Sequence, residues 1–340
     1  MNNEKNSKNF VNVLFTSVGR RVELLRAFKK AYKSLALNGK IIATDVDPLA
    51  PGLQEAHEAY IVPPVSDSSY IQALREICER ENIKLVFPLI DPDVLQLARN
   101  RHELEITGAW PVVVSENAAL ICADKWLTFK FFQRIGVPTA LSWLPEEISE
   151  VKPEYPLIVK PRFGSASKQV YVVRSVTELE FFLRYIPDPI IQEYVPGPEV
   201  TTDVYCDLTT ARVLGVVSRQ RIEVRSGEVT KGKTVYNSNI VKHCVTIANE
   251  LKAVGPLNVQ CIVRDNEPYF IEINARFGGG APLGFAAGVN APFWFLSLAA
   301  GFNIDIPPLG AYRTGLYITR FDDSIYLEEA DLAKIASRII

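Results

Sequence analysis

The feature that most constrains this fold is an alternation of short apolar runs with helical patterns along the first hundred residues. Apolar runs lie at 11–16, 41–44, 60–62, 85–89 and 111–114, with helical patterns at 20–32, 68–81 and 92–101. Such alternation is typical of parallel strands, because two parallel strands need a crossover to connect them. We therefore predict an N-terminal α/β domain with a parallel sheet.

Polar residues follow three of these runs, at 17–20, 45–48 and 91–93. Open parallel sheets bind ligands at the carboxyl ends of their strands, so these segments are candidates for a binding crevice. Helix capping explains the same residues equally well.

The pattern changes after residue 115. Asp124 and Lys125 open a helix that residues 136–138 close, and the rest of the chain mixes strands with helices, including a hairpin that turns at Asp265 and Asn266. This order indicates α+β subdomains. We predict three units: an α/β domain at 1–115, a subdomain at 116–189 and a second subdomain with a C-terminal segment at 190–340.

Composition excludes several classes of protein. The chain has 37 Lys and Arg against 39 Asp and Glu, and no basic run is long enough to follow a nucleic-acid backbone. Its five cysteines are odd in number and contain no CxxC pair, so neither a disulfide framework nor a zinc knuckle is expected. We predict no nucleic-acid partner and a cytoplasmic location.

One segment resembles a membrane span by hydropathy alone. Residues 277–304 contain no charge, but glycines and prolines interrupt them, which leaves only about 291–300 for a smooth helix. The polar segment 1–9 is not a secretory signal. We therefore predict no membrane partner.

Common catalytic signatures are absent from the sequence. It has no GxxxxGK[ST], GxGxxG or HExxH motif, and its three histidines are widely separated. These absences disfavour a P-loop NTPase and a dinucleotide-dependent oxidoreductase. Any catalysis must therefore use carboxylates, amides and cations.

Two segments have the composition of nucleotide contacts. Residues 160–168, KPRFGSASK, end an apolar strand on a lysine and continue into small residues whose backbone N–H groups can approach phosphates, although a solvated turn fits as well. Residues 192–199, QEYVPGPE, carry Glu193 and Glu199 at strand edges, where they could accept hydrogen bonds from a ribose or an amine. A carboxylate facing water is the alternative for both glutamates.

A third segment, the hairpin with NVQ at 258–260 and EINAR at 272–276, is the most informative about function. Period two places Glu272, Asn274 and Arg276 on one face of a strand, and Gln260 can share that face on the hairpin partner. Oxygen ligands of this kind suit Mg²⁺ or Mn²⁺, and Arg276 would then meet a transferred phosphoryl group. A polar sheet surface in solvent is the alternative.

Four motifs follow one another along the chain: Asp124-Lys125, LIVKP at 157–161 with its small-residue loop, QEYVPGPE at 192–199 and EINAR at 272–276. Together and in this order they resemble the ATP-grasp superfamily, in particular one module of the carbamoyl phosphate synthase large subunit. The resemblance covers about 11–308 and implies a pre-ATP-grasp α/β domain followed by a two-subdomain ATP-grasp fold. It implies ATP and Mg²⁺ (or Mn²⁺) as cofactors, with catalytic roles for Lys160, Asn274 and Arg276. It assigns nucleotide contacts to Lys125, Lys160, Gly164, Ser165, Ser167, Lys168, Glu193, Tyr194, Val195 and Glu199, and metal contacts to Gln260, Glu272 and Asn274.

The activity that the resemblance implies is phosphorylation of a carboxylate to an acyl phosphate, followed by displacement of phosphate by an amine or similar nucleophile. Gln169 stands where many relatives have another glycine, and the chain holds one module where carbamoyl phosphate synthases have two. A stand-alone carboxylate–amine ligase is therefore the first hypothesis. Carbamoyl phosphate synthesis and a non-catalytic ATP sensor are the alternatives.

The expected partners are small-molecule carboxylate and amine substrates, with a homodimer as a candidate assembly. A carboxylate-binding group could be formed by Arg219, Arg221, Arg225 and Lys231, although a solvated basic hairpin explains them as well.

Overall fold

The computed structural model describes residues 10–148, 150–151, 153–164, 168–225, 227–336 and 338. These residues form three sheets. The predicted α/β and α+β organisation is confirmed.

The N-terminal domain is built on a parallel sheet of five strands in the order β3-β2-β1-β4-β5. The strands are β1 (Asn12–Thr16), β2 (Ile41–Asp45), β3 (Glu58–Ile61), β4 (Ile83–Pro88) and β5 (Trp110–Pro111). The helices are α1 (Val22–Leu35), α2 (Pro51–Glu55), α3 (Tyr70–Arg80), α4 (Asp91–Arg99) and α5 (Arg101–Glu105). The strand order reverses between β1 and β4, so the loops that follow these two strands flank the crevice in which such sheets bind ligands.

Two helices lead out of this domain, α6 (Glu116–Ala123) and α7 (Lys125–Arg134). Asp124 caps α7, since its Oδ1 accepts a hydrogen bond from the Trp126 backbone N–H at 2.9 Å. The helix begins where the sequence predicts.

A small antiparallel sheet follows, in the order β6-β9-β7-β8. Its strands are β6 (Ser142–Trp143), β7 (Leu157–Pro161), β8 (Tyr171–Val173) and β9 (Pro189–Glu193), and it carries α8 (Val176–Tyr185). Six buried side chains form its own core: Leu157, Val159, Val173, Leu179, Ile186 and Ile191. Because β9 pairs with β6 and β7, residues 190–193 lie in this sheet and not with the segment that follows, to which the predicted boundary assigned them.

The third sheet is antiparallel and has six strands in the order β14-β13-β10-β11-β12-β15. They are β10 (Glu199–Cys206), β11 (Val213–Arg225), β12 (Glu228–Val235), β13 (Gly255–Arg264), β14 (Glu267–Asn274) and β15 (Tyr317–Thr319), with α9 (Ser238–Glu250) packed against the sheet. Asp265 and Asn266 turn the predicted hairpin with φ values of 52° and 69°, which asparagine and aspartate tolerate. The register pairs Gln260 with Glu272.

Three further helices are α10 (Ala281–Ala286), α11 (Ala291–Ala299) and α12 (Glu329–Ala336). Phe277 and Phe295 join Phe28 and Phe87 of the N-terminal domain and Tyr205 of the six-stranded sheet in one core. The parallel sheet of the N-terminal domain and the six-stranded sheet therefore share a core. Across the described residues, no helix has both the length and the apolarity that crossing a bilayer requires.

Candidate active site

A cavity of about 260 Å³ lies between the N-terminal domain and the six-stranded sheet. Residues after β1 and β4 line one side, and residues of β10 to β14 line the other. The cavity brings together all four residues predicted from strand periodicity: Gln260, Glu272, Asn274 and Arg276.

Two of the three residues predicted to bind metal have side-chain oxygen atoms that no described residue uses. Within the described part of the chain, the side chains of Gln260 and Glu272 make no hydrogen bond or ion pair, and the two residues are directly paired across β13 and β14. Hard oxygen ligands that are not used by the protein fit Mg²⁺. Glu272 is the only carboxylate of the set, and the described residues contain no group of three or more His, Cys, Asp or Glu side chains placed for a metal. A metal held here therefore depends on additional ligands such as phosphates.

Arg276 connects this set to the N-terminal domain. Its Nη2 donates to Asp91 Oδ2 at 2.7 Å and to Asn274 Oδ1 at 3.2 Å. Its Nε is buried and has no hydrogen-bond partner among the residues described. The guanidinium is therefore held in place on one side and keeps a free donor.

Lys160 ends β7 and is 6% exposed. Its Nζ donates to Gln192 Oε1 at 2.8 Å, and Gln192 Nε2 donates to Ser142 Oγ at 2.9 Å. Burial lowers the pKa of Lys160 to about 8, with opposing contributions from Glu272, which raises it, and Lys125, which lowers it further. An anion bound beside this buried ammonium would stabilise its charged form.

Lys125 lies at the first turn of α7, where its Nζ donates to the carbonyl oxygen of Gly164 at 2.7 Å. The predicted phosphate loop therefore starts next to this lysine. Lys168, at its other end, is exposed. Ser165 and Ser167 lie outside the described residues.

The segment predicted to contact adenosine is partly occupied by protein contacts. β9 ends at Glu193, whose Oε1 accepts from Arg264 Nη1 at 3.2 Å. Tyr194 and Val195 follow the strand and do not belong to it, and only Val195 is buried. Glu199, predicted to bind ribose, is paired with Arg221.

The basic residues suggested as a carboxylate site are also paired. Arg219 forms two hydrogen bonds with buried Asp203, at 2.8 and 3.0 Å. Arg225 and Lys231 form exposed ion pairs with Asp322 and Glu223.

Two lining residues, Arg21 and Asp91, were not assigned to the site by sequence reasoning. Asp91 belongs to the polar segment after β4, which the parallel-sheet rule had marked as a candidate crevice. Arg21 directly follows the polar segment after β1, and nothing in its own sequence neighbourhood distinguishes it from a surface arginine.

Two family models match the chain. Residues 13–112 match the PylC-like N-terminal domain, and residues 122–280 match the ATP-grasp domain. The matched segments correspond to the parallel α/β domain and to the two antiparallel sheets that follow it.

Proteins with similar sequences include carbamoyl-phosphate synthases and a D-alanine–D-alanine ligase. A carbamoyl-phosphate synthase of Methanobrevibacter smithii is 25% identical over 280 residues, which cover 76% of this chain and 74% of the relative. A D-alanine–D-alanine ligase of Petrotoga mobilis is 24% identical over 57% of this chain and 70% of the ligase. The match to the carbamoyl phosphate synthase large chain of Agathobacter rectalis covers only 17% of that chain.

Among solved structures, biotin carboxylase of Campylobacter jejuni superposes with a TM-score of 0.68 at 18% identity, covering 92% of this chain and 75% of the carboxylase. This likeness establishes the fold. Enzymes with an ATP-grasp domain use ATP with Mg²⁺ and include ligases that form carbon–nitrogen bonds. Residues 122–280 are therefore an ATP-grasp domain, and a PylC-like N-terminal domain precedes it at 13–112.

Proposed function

We propose that this protein is an ATP-dependent ligase that phosphorylates a small carboxylic acid and transfers the acyl group to an amine. The observation that supports this most directly is the shared cavity, where Gln260, Glu272, Asn274 and Arg276 face residues of the N-terminal domain. A site between the two domains can hold a nucleotide on one side and an acid on the other.

In this proposal the triphosphate lies between the small sheet and the six-stranded sheet. Lys125 and Lys160 contact its phosphates. Glu272, Gln260 and Asn274 would hold Mg²⁺, which neutralises charge on the phosphate oxygens. Because Glu272 is the only carboxylate among these three residues, the phosphates would have to supply further oxygen ligands.

Arg276 lies beside Asn274 and lines the cavity, so it is placed to contact the transferred phosphoryl group. An oxygen of the substrate carboxylate attacks the γ-phosphorus, ADP leaves, and an acyl phosphate forms. A neutral amine then attacks the acyl carbon, phosphate leaves, and the amine gives up a proton.

A second candidate is phosphorylation of bicarbonate or carbamate. It is favoured by the 25% identical relative of similar length, which is named carbamoyl-phosphate synthase. The same cavity residues would act, with a smaller acid.

The remaining predictions stay proposals: a unit boundary near 115, a cytoplasmic location, and a homodimer. Size-exclusion chromatography with light scattering at several protein concentrations tests the last of these. A constant monomer mass would reject it.

The experiment that tests the activity is ADP release from Mg²⁺-ATP with panels of carboxylic acids, amino acids and bicarbonate, each with and without amine acceptors. We expect acid-dependent ADP release and an amide product with one acid–amine pair. Release with bicarbonate alone would support the second candidate. ATP binding without ADP release from any pair would support the sensor hypothesis.

A further inference from the structure

The Arg21 side chain differs from the other arginines that line the cavity, because within the described residues it makes no hydrogen bond. Arg219 is held by Asp203, Arg221 by Glu199, and Arg276 by Asp91. The Arg21 side chain makes one ion pair in this part of the chain, between its Nη1 and Glu228 at 3.3 Å. Its Nε and Nη2 donors have no protein partner there and can contact a ligand.

The surroundings of Arg21 favour an anion. The side chain is 18% exposed. Burial lowers its pKa to about 10, with Glu228 raising it and Arg276 and Arg320 lowering it further, so the group stays cationic at neutral pH. Glu228 and Asp91 are the acids beside it, and because Arg276 and Arg320 also lie close, an entering anion stabilises the desolvated Arg21 cation further.

The glycine run 278–280 makes room for this side chain. A Cβ on Gly279 would lie 2.5 Å from Arg21 Nη1, which is far closer than such atoms approach. A Cβ on Gly280 would meet Arg219 Nη1 in the same way. Any side chain at position 279 would therefore displace the Arg21 guanidinium from its place at the cavity.

Arg21 and Arg276 come from different domains and line the same cavity. Arg276 lies at the metal-ligand end, beside Asn274, where the reacting carboxylate is placed by the proposed function. We propose that Arg21 binds a second anionic group of the acid substrate, so that the substrate carries two anionic groups. This inference rests on the proposed ligase function. A cavity of about 260 Å³ limits the acid to a small metabolite, since pockets for drug-sized ligands start at roughly 300 Å³.

The second anionic group has two chemical sources, a carboxylate or a phosphoryl group. The test measures binding to the Mg²⁺-ADP complex by calorimetry for propionate, butyrate and pentanoate, for succinate and glutarate, and for 3-phosphonopropionate. We expect the wild type to bind at least one dianionic acid about tenfold or more tightly than the monocarboxylate of equal carbon number. Tighter binding of the dicarboxylates would identify the second group as a carboxylate, and tighter binding of 3-phosphonopropionate would identify it as a phosphoryl group.

Arg21→Ala should reduce this preference to about one while leaving monocarboxylate binding unchanged, and Arg21→Lys should restore part of it. Gly279→Ala should lower the preference with the Arg21 charge intact. Arg26→Ala is the structural control, because Arg26 lies on the helix that follows Arg21, pairs with Glu55 and does not line the cavity, so the preference of this variant should match that of the wild type. A wild type without preference, or a preference that survives Arg21→Ala, would overturn the inference.

ADP release separates this inference from the ligase proposal. Arg21-dependent binding of dianionic acids without ADP release from any acid would leave the anion site standing and reject the ligase. Acid-dependent ADP release with no dependence on Arg21 would do the reverse.

Discussion

The small sheet and the remainder of the protein are built differently. The small subdomain, defined here as residues 142–193, has its own core of six buried side chains. The base, defined as the N-terminal domain with the six-stranded sheet, is joined by one core to which both parts contribute. The small subdomain is thus packed as a unit of its own, whereas the cavity lies within the part that shares one core.

The base and the small subdomain therefore hold different residues of the proposed site. Glu272, Arg276 and Arg21 belong to the base, so their mutual geometry is set by packing. Lys160 belongs to the small subdomain and reaches the site only through the position of that subdomain. Four predictions test this division, from the largest expected effect to the smallest.

The largest effect is expected for a ligand residue of the base. Glu272→Ala should lower kcat by about 10³-fold, the scale observed when a group that stabilises transition-state charge is removed. Adenine nucleotide binding without metal should stay intact, as measured with a fluorescent ATP analogue. Glu267→Ala, at the exposed far end of the same strand, is the matched control and should be fully active. Undiminished turnover of Glu272→Ala would reject the metal assignment.

The second prediction concerns the shared core. Phe277→Ala removes a ring that contacts Phe28, Phe87 and Tyr205, and should lower the free energy of unfolding by about 3–5 kcal/mol. Denaturant unfolding followed by hydrogen exchange should show this loss in both parts of the base. Exchange that rises in the six-stranded sheet alone would show that the base is two units.

The third prediction concerns the core of the small subdomain. Val159→Ala should cost about 2 kcal/mol, and faster hydrogen exchange should be confined to residues 142–193. Val259→Ala is the matched control, since Val259 is equally buried in β13 and should destabilise the base instead. Faster exchange in the base of the Val159→Ala protein would contradict independent folding units.

The smallest effect comes from protonation of Lys160. Because burial lowers the pKa of Lys160 to about 8, the free protein loses this charge above that pH, while a bound triphosphate favours the ammonium. ATP affinity should fall by up to tenfold per pH unit above pH 8, with proton uptake on binding. Calorimetry in buffers of different ionisation enthalpy measures the uptake. Lys160→Arg should bind with no such uptake, and an equal uptake in that variant would assign the proton to another group.

The reach of sequence reasoning differs between local and long-range features. The hairpin at Asp265 and Asn266, and the face shared by Gln260 and Glu272, follow from turn chemistry and strand period, which act between near neighbours. The fold class follows from the alternation of strands and helices. These features were predicted correctly because each depends on a short stretch of chain.

The contacts that complete the cavity were not predicted. Asp91 and Arg276 are separated by 185 positions, and no local pattern indicates that they form an ion pair. Likewise, the pairing of Glu199 with Arg221 depends on the register of β10 against the end of β11. The residues of β9 do not indicate which sheet the strand joins, because that depends on its pairing with β7.

The ion pair between Asp91 and Arg276 has a consequence for engineering. Because an arginine beside the metal ligands is oriented by the domain that also supplies Arg21, neither half of the protein can be exchanged for that of a relative without re-matching this contact. A chimera should therefore carry its acid after β4 and its arginine after β14 from the same parent.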